Sequence, residues 1–258
     1  MPLETMRAAE AGGPGVLHVY HPLGYPKDQD LAYIESAFAA GAKVAELGIP
    51  FSDPVADGPV LQAAATAALA AGQTPHAALA TLAKLRRRHP QAGLVAMTYA
   101  NTLHNLGWEE SARALREAGA DGVIVPDMPL AEAQRVAPLF AKHGLPWIPV
   151  VTSTVPDATL AKLGRLRPPF LYVASLGVTG REGPGAEAVA TLERARRLAP
   201  GVPLALGFGV RGPGDARQAR ASGAHGVVVG SALVRAIADG ATPQEHARSV
   251  AALAEACC

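Results

Sequence analysis

Glu46 stands inside an otherwise apolar run, Val44-Ala45-Glu46-Leu47-Gly48. A carboxylate there is costly unless it is paired, hydrogen-bonded or protonated, and burial lifts a carboxyl toward the range where it can exchange protons. A structural ion pair and a catalytic acid/base both fit. The segment that follows is rich in Pro and Asp for a simple connection. Asp53 precedes Pro54 and could hold a turn, while Asp57, before Gly58-Pro59, could cap the next helix. Two carboxyls presented from one strand and its loop could instead divide two proton tasks between them, if their surroundings split their pKa values. Three glycine-bearing loops add a second kind of chemistry. They read Leu176-Gly177-Val178-Thr179-Gly180, Gly207-Phe208-Gly209-Val210 and Gly230-Ser231-Ala232-Leu233. Glycine lets backbone N–H groups approach an anion, and Gly230-Ser231 opens a helix whose N-terminus favours negative charge. Each loop alone reads as turn geometry. Together they point to a phosphate held by backbone donors, a site that needs no lysine.

The elements that must position these groups alternate along the chain. Short apolar runs predict strands over Val16–Tyr20, Val44–Gly48, Leu94–Thr98, Gly122–Pro126, Trp147–Val151, Phe170–Ala174, Leu204–Gly207 and Gly226–Val229. Alanine-rich segments predict helices over Asp28–Ala40, Val60–Ala71 with Pro75–Arg88, Trp108–Glu117, Leu130–Lys142, Asp157–Leu166, Ala186–Leu198, Gly214–Ala221 and Pro243–Ala256. Strands without polar alternation are strands covered on both faces, as in parallel sheets. Eight consecutive strand–helix units with no composition break, in a chain of 258 residues, predict an α/β fold, a (β/α)8 TIM barrel in one domain spanning 1–258. An open doubly wound sheet is the alternative. In such a barrel the active site lies at the C-terminal ends of the strands, where Glu46, Asp57 and the glycine loops fall.

Composition narrows the function further. Lys+Arg 23 against Asp+Glu 22 leaves a net charge of +1, and no basic blocks favour nucleic acid or a membrane surface. The run Arg86-Arg87-Arg88-His89 is expected to be a solvated helix end. No membrane span or signal-peptide order is evident, so a cytoplasmic protein is expected. Cys257 and Cys258 are read as a reduced, mobile tail without a role. His18 and His21 would point to opposite faces of a strand and lack a third ligand, so no metal site is expected.

The segment from Glu46 to Gln62 resembles the signature of the tryptophan synthase α subunit family almost residue for residue. The resemblance continues through Met97-Thr98-Tyr99-Ala100-Asn101, Val125-Pro126-Asp127-Met128-Pro129, Gly177-Val178-Thr179-Gly180, Gly207-Phe208-Gly209-Val210 and Gly230-Ser231-Ala232-Leu233-Val234, in order and over essentially the whole chain. It implies a barrel enzyme that cleaves indole-3-glycerol phosphate to indole and glyceraldehyde 3-phosphate. It also implies no cofactor in this chain and a β-subunit partner, in an α2β2 assembly, that joins the indole to serine on its own pyridoxal phosphate. By the same resemblance Glu46 is the central acid/base, Asp57 assists at the indole nitrogen and Tyr172 lines the site. Thr179, Gly180, Gly209, Gly230 and Ser231 would hold the substrate phosphate, and Leu61, Met97 and Phe208 would line the indole pocket.

Three positions depart from the family pattern. Ser175-Leu176-Gly177 shortens the exit from the sixth strand by a residue, Pro22 stands where a threonine is common, and Met1–Gly15 implies a short N-terminal plug. A stand-alone lyase releasing free indole, or a catalytically weak subunit that mainly activates a partner, are the other functions considered. Intact Glu46 and Asp57 count against the second.

Overall fold

Runs of β-branched and small apolar residues become strands here because helices and an inner core cover both their faces. The computed structural model describes residues 3–174, 185–207 and 209–258. Its strands are β1 (Val16–Pro22), β2 (Val44–Gly48), β3 (Gly93–Met97), β4 (Gly122–Ile124), β5 (Trp147–Ile148), β6 (Val150–Val151), β7 (Leu171–Ala174), β8 (Leu204–Gly207) and β9 (Gly226–Val229). The helices are α1 (Glu4–Glu10), α2 (Asp30–Ala39), α3 (Pro59–Ala70), α4 (Pro75–Arg88), α5 (Ala100–Leu106) and α6 (Trp108–Glu117). They continue with α7 (Leu130–Lys142), α8 (Asp157–Arg165), α9 (Ala186–Leu198), α10 (Pro213–Ala221), α11 (Ser231–Ala238) and α12 (Pro243–Cys257).

All pairings are parallel, in the order β5-β4-β3-β2-β1-β9-β8-β7-β6. The two outermost strands are consecutive in sequence and separated only by Pro149, so the chain itself closes the ring. The single strand expected over Trp147–Val151 is therefore split. Proline has no N–H to give a ladder, but the Pro149 carbonyl still accepts the Tyr172 N–H at 2.9 Å. β5 and β6 are two halves of one stave in an eight-staved (β/α)8 barrel.

Side-chain parity divides the core. Val44, Val95, Ile124, Ile148, Phe170 and Val228 fill the barrel, while alternate strand residues such as Leu17, Val19, Leu47 and Val123 pack outward against the helices. The short α1 closes one end of the barrel with Leu3, Met6 and Ala9 in the inner cluster, Met6 being fully buried. Helix starts follow local chemistry. Proline occupies the first turn of α3, α4, α10 and α12, where a missing N–H costs nothing. Thr74 and Thr242 cap α4 and α12, the latter in a reciprocal capping box with Glu245.

Several expectations are corrected. α2 begins at Asp30, because Asp28 sits at φ 61, outside helical space. α5 is not expected as a helix, whereas α1, at seven residues, is the short N-terminal plug. Cys257 is not in a mobile tail. It ends the buried stripe His246, Val250, Leu253 and Ala256 of α12, and burial pushes its thiol up to about 11. Arg86 is not solvated either: its guanidinium pairs with Asp121 at 2.5 Å and donates to the carbonyls of Gly119 and Ala92, tying α4 to the β3 and β4 entrances. Among the described residues, no helix is long and apolar enough to cross a membrane.

Candidate active site

Register places Tyr20 of β1, Glu46 of β2 and Val95 of β3 side by side, at positions whose side chains face into the barrel. Glu46 is fully buried, and its Oε1 lies 3.0 Å from Nδ1 of His18, which is also fully buried. His18 pairs with Val44, one inward position nearer the α1 end than Glu46. The imidazole therefore supports the carboxyl from below. Glu46 Oε2 has no hydrogen-bond partner among the described residues. The carboxyl is thus asymmetric, one oxygen held and the other left over.

Asp57 is brought to the same end of the barrel by the loop after β2. Its N–H donates to Pro54 O at 3.0 Å, and Gln62 Nε2 donates to its carbonyl at 2.9 Å. The side chain does not cap α3: the N-cap is Gly58, without a side-chain bond. The Asp57 carboxyl instead accepts from the hydroxyl of Tyr99, which itself accepts the Ala56 N–H at 3.1 Å. Tyr99 is fixed in turn by stacking on Phe51, with ring centroids 5.4 Å apart. Burial pushes the Asp57 carboxyl up to about 6, and the Tyr99 hydrogen bond limits the rise. Burial, then the charge of Asp57, drives the Tyr99 phenol up. The buried phenols of Tyr20 and Tyr172 are raised as well, by burial first and then by the charges of both Glu46 and Asp57. Both phenols sense both carboxyls, which gathers the four groups at one end of the barrel. Gly48 and Gly207 make room for them, since a Cβ at either would collide with the hydroxyl end of Tyr20 or Tyr172.

A pocket opens beside this group, lined by Tyr20, Pro22, Phe51, Asp57, Met97 and Tyr99 among others. Met97, expected in an indole pocket, is in its wall. Leu61 is half-buried in the first turn of α3, outside that lining. Of the expected phosphate ligands, Gly209 takes φ 85, a conformation suited to glycine. Gly230 is the N-cap of α11 and Ser231 its exposed first residue, positions whose backbone N–H groups a helix leaves without intrahelical partners. Thr179, Gly180 and Phe208, and the Ser175-Leu176-Gly177 exit, lie outside the described residues. Among the described residues no cluster of three or more His, Cys, Asp or Glu converges as a metal site.

Three residues of this group escaped the sequence reading: His18, Tyr20 and Tyr99. His18 was legible in principle, because a lone histidine two positions off register from a lone glutamate on the adjacent strand shares its face. Tyr99 and Asp127 sat in quoted motifs without a role. The structure gives Asp127 a structural one, accepting the Ala100 N–H at 2.9 Å at the start of α5.

A family model described as tryptophan synthase alpha chain matches residues 8–257. The chain is 43% identical over 201 residues to the tryptophan synthase alpha chain of Synechococcus sp. (strain CC9902), covering 78% of this chain and 74% of the relative. It is 40% identical over 251 residues to that of Roseiflexus sp. (strain RS-1), covering 96% and 95%. Among solved structures, tryptophan synthase from M. tuberculosis in an open form superposes with a TM-score of 0.87 at 29% identity, covering 98% of this chain and 96% of that one.

Proposed function

Starting from a chain that belongs to the tryptophan synthase alpha chain family, we propose that Glu46 and Asp57 divide its proton chemistry. The chain is a carbon–carbon lyase: it cleaves indole-3-glycerol phosphate to indole and glyceraldehyde 3-phosphate as the α subunit of tryptophan synthase in tryptophan biosynthesis. The reaction needs a proton at indole C3, so that the ring can leave, and a base for the hydroxyl on the adjacent side-chain carbon. As that O–H gives up its proton, the carbonyl of glyceraldehyde 3-phosphate forms. The C–C electron pair passes to C3, whose aromatic ring is restored. Glu46, rigid on its strand, gives the first proton and takes the second, ending in its starting form. Asp57, on a loop, accepts from the indole N–H and stabilises the positive charge that protonation at C3 brings to the ring.

The observation that carries this reading is the asymmetry of Glu46, one oxygen held and the other unpaired, beside a second carboxyl raised to about 6. Two carboxyls whose surroundings differ in this way can take different proton roles at one pH. Tyr172 lines the site next to them. The phosphate binds to backbone N–H groups of Gly180, Gly209, Gly230 and Ser231, with Thr179 beside it, and the indole lies against Leu61, Met97 and Phe208. The chain uses no cofactor of its own. It works in the cytoplasm with a β subunit, in an α2β2 assembly, whose pyridoxal phosphate consumes the indole. The test is an assay of indole and glyceraldehyde 3-phosphate from indole-3-glycerol phosphate, with and without a β subunit. Equal amounts of the two products support the reading, and their absence under both conditions overturns it.

A further inference from the structure

We propose that His18 is the positioning residue of the acid/base, holding Oε1 of Glu46 so that Oε2 is presented to the substrate. The proposal rests on the reading of Glu46 as the proton carrier. The Nδ1–Oε1 contact is 3.0 Å, between two side chains with no exposed surface. The ring has little freedom to do anything else. Its Nε2 lies 3.1 Å from Met6 Sδ, and its edge meets Phe170 with centroids 5.1 Å apart at 81°. The backbone of β9 clears space for it at Gly226, where a Cβ would stand 3.0 Å from Nε2 and 2.9 Å from Met6 Cε. A thioether sulfur has no proton to give, so it can only receive the Nε2–H, and the other nitrogen, Nδ1, shares one proton with Oε1 across their 3.0 Å contact.

Stability does not explain the pair. A buried histidine–carboxylate pair is commonly no better than apolar side chains of the same volume, and a purely structural pair has no reason to leave one carboxyl oxygen unsatisfied. The oxygen left over belongs to the group that must reach two different atoms of the substrate in succession. Errors of about 1 Å in such a group cost on the order of 10²-fold in rate. An unanchored carboxyl swings about its last torsion, whereas one held at Oε1 presents Oε2 in a single direction. His18 contacts Glu46 from the side of the α1 plug, so it positions the carboxyl without touching substrate.

Three variants separate positioning from packing. His18→Leu fills the space without a donor, the amide nitrogen of His18→Asn falls where Nδ1 sits, and that of His18→Gln falls where Nε2 sits. Steady-state indole formation should show kcat down by about 10- to 100-fold in His18→Leu with KM within about threefold of wild type. His18→Asn should recover most of the loss and His18→Gln should not. The melting temperature of His18→Leu should equal or exceed the wild-type value. Wild-type kcat in His18→Leu overturns the proposal, and so does equal activity in His18→Asn and His18→Gln. If His18→Leu fails to fold, the contrast between Asn and Gln decides. Glu46→Gln is measured alongside. If it keeps turnover, the acid/base reading itself falls; if it is inactive while His18→Leu is normal, only the role of His18 falls.

Discussion

Asp57 titrates where rates are easily measured, since burial has moved its carboxyl from 3.8 to about 6. If its ionised form holds the indole N–H, turnover should fall on the acid side with a midpoint near 6. Tyr99→Phe removes the hydrogen bond that lowers this pKa and also the hydroxyl that receives Ala56 N–H. The acid limb should then move to higher pH, read from kcat/KM against pH; an unmoved limb would detach Tyr99 from Asp57. Stability carries the opposite sign from a paired carboxylate. Between 3.8 and about 6 the folded chain holds a proton that the unfolded chain has lost, so stability falls as pH rises through that window. Asp57→Asn should therefore be as stable as wild type at pH 4 and more stable at pH 7, while losing most activity. A variant destabilised at both pH values, with activity intact, would return Asp57 to a structural role. Glu46→Gln keeps the shape of the side chain but loses its proton exchange, and turnover should drop on the order of 10²–10⁴-fold or more with phosphate-ester binding little changed. Near-normal turnover would remove Glu46 from the mechanism.

At the scale of elements, the plug matters more than its length suggests. α1 has seven residues and no side-chain cap, and too short a helix holds together only through packing. Met6 supplies that packing, buried among Val16, Val44, Val95 and Phe170 and touching His18. Met6→Ala should cost about 2–5 kcal/mol, measured by denaturant unfolding; a loss under about 0.5 kcal/mol, the range of surface changes, would mean that α1 does not close the barrel. The elements that the sequence reading recovered are those with a strong local signal: apolar runs bounded by glycine, and helices opened by proline or threonine. Those it missed had none. α5 has a single buried residue, Leu103, and so shows no period; α1, too short and uncapped to show one either, is expected only through the family resemblance. The stave broken at Pro149 reads as one strand, because the apolar run continues through the proline. The same limit applies to the site. Glu46 was legible as a lone charge in an apolar strand. Its dependence on His18 exists only once β1 and β2 lie in register.

For the whole molecule, the decisive property is whether the barrel works alone. The loop that carries Asp57 is held by weak means: a turn from Asp57 N–H to Pro54 O, the Gln62 side chain, and Tyr99 beneath it. Its tip, Val55, is 78% exposed, an apolar side chain with no cover within the described chain. A β subunit docking on this loop would bury Val55 and order Asp57, raising the fraction of molecules with the second carboxyl in place. Such coupling amounts to about 1–3 kcal/mol, or roughly 5- to 150-fold in turnover. Steady-state indole formation across a titration of β subunit should rise from a slow basal rate to a plateau. Pro54→Ala, which loosens the turn, should reduce the activation more than the basal rate. Val55→Asp places a charge in the contact and should move the titration midpoint by about tenfold or more, since 1.4 kcal/mol is tenfold, with the basal rate of the isolated chain unchanged. A flat titration with a fast basal rate would make the barrel a self-sufficient lyase. An unshifted midpoint in Val55→Asp would move the docking face away from this loop.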